Sequence, residues 1–326
     1  MLFSRRRFMT STAAAAALVA RPALVRGAEP LVIGYIPGNA VHWIADVLID
    51  KGFFRAQGFD AQGAVFQSSP QSIQLAITGA YQIASTQLEP LVAAVERGAS
   101  NLGALSAPMN RADWVLVGAS GVARLADLRG REIGVSALNS SEVWLTTQLL
   151  ERNGFGRADV GFLVVGTSPA KATALQKGSL AAAVLFQPTA ELAIAQGHAA
   201  LARFRSLRAY LPTVYAVTRE WARNGDAGKR VAEAFRRGHA WLWDPGNRSE
   251  AIDILAKYTK RDRPILEAVY DDYFVHGKIY SKTGEISLAG FDWALADMAE
   301  HNEIVKPPPP PAAKYVIEPA LGGMAG

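Results

Sequence analysis

The residues best suited to hold a small solute are mostly uncharged and fall in short clusters: Asn39, His42 and Trp43; Ser68, Ser69 and Gln87; and Asn139, Ser140 and Ser141 with Gln187. Their hydroxyls, amides and ring nitrogens both donate and accept hydrogen bonds. The densest run is Arg131-Glu132-Ile133-Gly134-Val135-Ser136-Ala137-Leu138-Asn139-Ser140-Ser141-Glu142. It reads as a β-branched strand entering a helix through a short polar loop. Asn139 or Ser140 caps that helix by accepting from first-turn amides, and Glu142 stands where a capping-box acid reaches back. Free amides and the positive helix end would receive an anionic or strongly polar group. A plain helix cap, with the Glu142 carboxylate itself at the helix end, is the competing reading.

Catalytic constellations have little support. Ser136 lies in Gly134-Val135-Ser136-Ala137-Leu138, which lacks the second glycine of a nucleophile elbow. His42, His198, His239, His276 and His301 are scattered, without a helical metal pair, and no glycine-rich phosphate loop occurs. The chain has no cysteine, which removes disulfides, thiolate metal sites, a cysteine nucleophile and a lipoprotein anchor. The expectation is a non-enzyme with no catalytic residues, no metal and no cofactor.

The clusters fall at the carboxyl ends of strands in a repeated strand–loop–helix pattern. Leu31–Ile36 reads as a strand followed by a helix over 41–51, placing Asn39, His42 and Trp43 in the loop and first turn. A strand near Ala64–Gln67 leads to a helix capped by Ser68-Ser69-Pro70, and a strand over Tyr81–Ser85 leads to Gln87 and a third helix. After an apolar strand over Trp114–Gly118, the rhythm restarts. Strands are expected at 132–137, 162–165 and 181–186, the last ending in Gln187-Pro188, with helices at 141–152, 168–177 and after Pro188 to Gln196. Such units make a parallel sheet with ligand loops on one edge. Leu211–Thr218 is a strand that returns to the first lobe, and helices follow at 226–242, 249–258, 263–273 and 287–300. Trp241-Leu242-Trp243 reads as packing within this helical cap, and Pro307–Pro311 as a polyproline strap on the surface.

Residues Ser4-Arg5-Arg6-Arg7-Phe8-Met9 open a leader whose apolar part, Ala13–Ala20, is too short to span a bilayer, which takes roughly twenty residues. The pattern is similar to the twin-arginine export consensus, with cleavage near Val25-Arg26-Gly27-Ala28. The net charge of +5 comes from this leader: five of the 34 Lys and Arg precede Glu29, leaving 29 basic against 29 acidic residues. A neutral mature chain offers no basic surface for nucleic acid.

These features resemble one family. Gly34-Tyr35 in the first strand, Lys51-Gly52-Phe53-Phe54 after the first helix, Asp127-Leu128-Arg129-Gly130-Arg131-Glu132-Ile133-Gly134-Val135 and the returning strand are similar to the periplasmic substrate-binding proteins of ABC importers for nitrate, alkanesulfonate and taurine. That group shares its fold with the thiamine-pyrimidine binding proteins. The resemblance implies an α/β, two-lobed periplasmic-binding-protein fold (type II), each lobe a mostly parallel sheet flanked by helices. The divisions are a signal peptide at 1–28, a first lobe of 29–116 plus 215–326, and a second lobe of 117–214. It further implies a monomer in the periplasm, a small-molecule ligand in the interlobe cleft and an ABC permease partner in the inner membrane. The cleft residues are then Asn39, His42, Trp43, Ser68, Ser69, Gln87, Asn139, Ser140, Ser141 and Gln187, none of them Lys or Arg. A solute of sulfonate, taurine or nitrate type fits the family, while an aromatic or pyrimidine-like compound could stack on Trp43. A sensory protein for the same ligand is the other binding role. One departure stands out. Where family members carry Asp three residues after the glycine of the helix–strand turn, this chain has Gln82 and Ala181.

Overall fold

The computed structural model describes residues 27–36, 38–66, 68–138, 140–156, 158–207, 210–301 and 304–317. The leader, apart from Gly27 and Ala28, and Asn139 lie outside the described residues. The first half of the chain runs β1 (Glu29–Gly34), α1 (Trp43–Asp50), β2 (Phe59–Ala64), α2 (Ser69–Ile77), β3 (Ile83–Gln87), α3 (Leu88–Glu96) and β4 (Leu102–Ser106). A second series follows: β5 (Val115–Gly118), β6 (Arg131–Val135), α4 (Ser141–Glu151), β7 (Val160–Val164), α5 (Ser168–Gln176), β8 (Ala182–Leu185), α6 (Thr189–Ala195) and β9 (Ala200–Arg203). The chain then forms β10 (Thr213–Thr218), α7 (Arg219–Arg223), α8 (Ala227–Trp243), α9 (Arg248–Thr259), α10 (Arg263–Tyr270), a π-helical turn at Asp271–His276 and α11 (Leu288–His301).

Two five-stranded sheets result, ordered β2-β1-β3-β10-β4 and β7-β6-β8-β5-β9. The orders correspond position for position. In each sheet one strand is reversed, β10 against β3 and β4 in the first and β5 against β8 and β9 in the second, while the other strands run parallel. The reversed strand is the one that arrives from the other series, so the chain crosses between the sheets twice.

β10 illustrates how the core is divided. Alternate side chains of a strand point to opposite faces, and here Val214 and Ala216 join one apolar cluster while Tyr215 and Val217 join another. The second cluster lies under α1, α8, α9 and α10. The first continues past α3 and α11 into the second sheet. Gly34 is required in β1 because a Cβ there would lie 2.3 Å from the Tyr81 ring. Gln82 fastens the turn before β3: its Oε1 accepts from Val32 N (2.7 Å) and its Nε2 donates to Gly79 O (3.0 Å), tying the turn to β1.

Several sequence expectations shift. The second strand occupies Phe59–Ala64 rather than 64–67, and β4, β9 and α7 were not anticipated. Pro307 and Pro308, joined by a cis bond, lie in bends, so the expected polyproline strap is not continuous there; the segment that follows is instead fastened to the first sheet. Tyr315 is fully buried, Arg219 donates to the carbonyls of Lys314 (2.6 Å) and Val316 (3.0 Å), and Ile317 N donates to Ala104 O (2.9 Å) beside β4.

Candidate functional site

Parallel strands that enter helices directly leave their carboxyl-terminal loops on one edge of each sheet, and here the two edges meet. Ala40 N donates to Gln187 O across them (3.0 Å). The first-sheet edge is built on neutral chemistry. Asn39 accepts from Val41 N through Oδ1 (3.2 Å), starting the single 3-10 turn that precedes α1. This turn drives His42 inward, where it is only 4% exposed. Its neutral ring satisfies both neighbours when Nδ1–H donates to Ile36 O (3.2 Å) and Nε2 accepts from the Ser85 hydroxyl (2.7 Å). Burial lowers its pKa to about 4. Ser69 accepts from Gln87 N (3.2 Å), fastening the α2 start to the end of β3.

The second-sheet edge is built on charge. Glu142, in the first turn of α4, reaches back to accept from Ser136 N (2.9 Å) and the Ser136 hydroxyl (2.5 Å). Lys171 of α5 donates to Glu142 Oε2 (2.8 Å) and Ser136 Oγ (3.1 Å), and both members of the ion pair are fully buried. Burial lowers the Lys171 pKa, an effect that Glu142 opposes. The loop after β6 is therefore held from beneath by a paired charge.

Glu89 joins the two edges. Its carboxylate, on the first turn of α3, accepts from the hydroxyls of Ser141 at the start of α4 and Tyr210 on the returning segment. Ser141 Oγ and Tyr210 Oη lie 2.8 Å apart. Burial raises the Glu89 pKa while the two hydroxyls oppose that shift. Asp46, inside α1, is fully buried, with no partner in hydrogen-bond geometry, although the Tyr35 hydroxyl lies near enough to favour its charge slightly. Burial pushes it up to about 8. Among the described residues no group of His, Asp and Glu could hold a metal ion, and no described helix is long and apolar enough to cross a membrane.

Two edges of strand-end loops that meet face to face suit capture of a solute. A model of NMT1/THI5-like proteins matches residues 39–247, which include both edges and both crossings. The chain belongs to the NMT1/THI5-like family. No curated protein matches its sequence. Solved structures share the fold at low identity. The periplasmic aliphatic sulphonate binding protein SsuA from Escherichia coli is 23% identical with a TM-score of 0.70, the match covering 89% of this chain and 98% of that one. The periplasmic nitrate-binding protein NrtA from Synechocystis PCC 6803 is 12% identical with a TM-score of 0.75, covering 91% and 89%. The desulfurization enzyme DSZB is 16% identical with a TM-score of 0.65, covering 90% and 98%. The periplasmic-binding-protein fold is thus shared by binding proteins and an enzyme, and function must be argued from the site.

Within this family member, the site residues expected from sequence divide into three groups. Gln87 is half-buried with a side-chain amide that has no partner among the described residues; Ser68 is exposed and caps α2 through Gln71 N (3.4 Å). These two, with Asn39 and Ser69, line the first edge, whereas His42 and Ser141 are buried with their side chains engaged by Ile36, Ser85, Glu89 and Tyr210. Ser140 is buried and donates to Ala137 O (2.6 Å), so it shapes the loop instead of capping α4, and the expected capping box becomes the Glu142–Ser136 link.

Two expectations are corrected. Trp43 is 0% exposed, its indole N–H donates to Ala251 O (2.9 Å) and its ring meets Tyr270 and Phe274 edge-on, so it packs the helical cap and cannot stack on a solute. The Gln187 side chain is also consumed, its Oε1 accepting from Glu191 N (3.2 Å) and its Nε2 donating to Glu191 Oε1 (3.1 Å); only its backbone reaches the other edge. Ser85, Tyr210 and Lys171 were missed. For Lys171 a signal existed: it lies four residues before buried Leu175, on the same helical face.

Proposed function

We propose that this chain is the extracytoplasmic solute-binding component of an ABC importer, a monomer that works in the periplasm and delivers its ligand to an inner-membrane permease. The leader beginning at Ser4-Arg5-Arg6-Arg7 fits twin-arginine export. Residues 29–116 with 215–326, and 117–214, are the lobes that close about the two crossings. The observation that carries this reading is the meeting of the strand-end loops, bridged by Ala40–Gln187 and by Glu89–Ser141. The ligand is a small polar organic solute. SsuA and NrtA, named for sulphonate and nitrate, support a sulfonate, taurine or nitrate-like compound. The uncommitted Gln87 side-chain amide, which both donates and accepts, favours a second candidate, a neutral ring of pyrimidine type, taken up or sensed. Catalysis is the least favoured reading; the DSZB structure with biphenyl-2-sulfinic acid is that of a variant with serine in place of a cysteine, and this chain has no cysteine.

Calorimetric titration against sulfonates, carboxylates, nitrate and pyrimidines tests the proposal. One class should bind, and Gln87→Ala should weaken it about tenfold, the value of a hydrogen bond of roughly 1.4 kcal/mol. Absence of binding across the panel, together with turnover of any member, would overturn it.

A further inference from the structure

The groove between α5 and α6 is lined by none of the residues assigned to the solute cleft above, yet it carries the features of a second site. Packed helices normally interdigitate, but here Ala172 faces Ala193 and about 160 Å³ is left empty between them. That is close to the roughly 150 Å³ of a cavity that accepts a benzene-sized guest. At the carboxyl-terminal ends of the two helices the Gln176–Gln196 side-chain hydrogen bond (2.9 Å) links its walls. Two polar groups in the lining are uncommitted. Thr189 is only 8% exposed, and its hydroxyl has no hydrogen-bond partner among the described residues. Arg261, on the turn between α9 and α10, also lines the groove; its guanidinium has no acid or hydrogen-bond partner among the described residues, and only its backbone N–H is engaged, with Thr259 Oγ1 (3.3 Å). The contrast with Arg263 is informative, since that side chain is paired with both Asp253 and Glu267. No carboxylate lines the groove.

We propose that this crevice binds a small organic anion, a carboxylate or sulfonate with a short apolar flank. Arg261 and the Thr189 hydroxyl hold its charged end, and its apolar end fills the gap between Ala172 and Ala193. Arg261 belongs to the helical cap that follows β10, whereas α5 and α6 flank the second sheet, so the anion bridges two bodies of the molecule. Its binding therefore favours the arrangement in which they are together. This linkage rests on the solute-binding reading above, while the site itself does not.

The absence of native cysteine allows a single fluorophore on Lys177→Cys, an exposed position beside Gln176, in the otherwise complete chain. Propanesulfonate and butyrate are the probes. A saturable signal is expected, weakened at least tenfold by Arg261→Ala, several-fold by the near-isosteric Thr189→Val, and abolished by Ala172→Leu, which fills the gap. Gln87→Ala should leave it unchanged. No saturable response to either probe, equal binding by Arg261→Ala, or loss of the signal in Gln87→Ala overturns the site. If the crevice binds but saturating probe does not raise the affinity of the cleft solute, the linkage fails and the site stands. If no cleft solute is found, the crevice outcomes are still decisive.

Discussion

The loop after β1 and the loop after β6 occupy equivalent places in two sheets of the same strand order, yet each is fixed by different chemistry. The first relies on an uncharged histidine between a backbone carbonyl and a serine, and the second on a fully buried ion pair that grips a serine hydroxyl. A neutral network loses little when one bond is cut. A buried charge left without its partner costs far more. The two edges should therefore respond to different perturbations, the second to side-chain deletion and the first to pH.

The largest effect is expected from Lys171→Ala, which strands Glu142. Urea unfolding should show a loss of about 3–5 kcal/mol, and replacing both partners by Met and Leu should recover most of it. Equal losses in the single and double variants would mean that charge is not what holds the second edge.

Next in size is the pH response of His42. Its pKa falls from 6.5 to about 4 on folding, so the unfolded chain binds the extra proton between those values and stability drops as pH falls through that window. Relative to His42→Gln, the wild type should lose roughly 3 kcal/mol between pH 7 and pH 4. Parallel stability curves for the two proteins would contradict an inward, neutral ring. Buried His239 shifts the same way, and Asp113, raised to about 6 by burial, shifts oppositely, so the comparison is made between variant and wild type.

The smallest effect separates two equivalent turns. Gln82→Ala removes the bond to Val32 N and should cost about 1 kcal/mol. Ala181, at the corresponding position of the second sheet, is buried in the apolar core and has no side-chain bond to lose, so this cost is confined to the first turn.

The strand–helix rhythm was legible because each unit carries its own periodicity and stop: α4, for example, ends at Glu151 with Gly154 in the left-handed region that the Asn153-Gly154 pair announces. β4 and β9 escaped because Leu102-Gly-Ala-Leu-Ser and Ala200-Leu-Ala-Arg contain no β-branched residue. Their strand state comes from pairing with β10 and β5, partners set by the fold. Trp43 was misplaced for a similar reason. Local sequence puts it at a loop-to-helix junction, and its burial depends on Ala251, Tyr270 and Phe274, more than two hundred residues later. Gln187 and Glu191 stand four apart, a spacing that on a helical start lets the amide bond within its own turn.

The central claim, that the two loop edges close on a solute, is tested most directly by distance. Ser68 and Leu138 are exposed, one on each edge, and the cysteine-free chain permits a donor–acceptor pair at these two positions alone. Addition of a solute identified by titration should shorten and narrow the distance distribution between them. Saturable binding with an unchanged distribution would contradict the account.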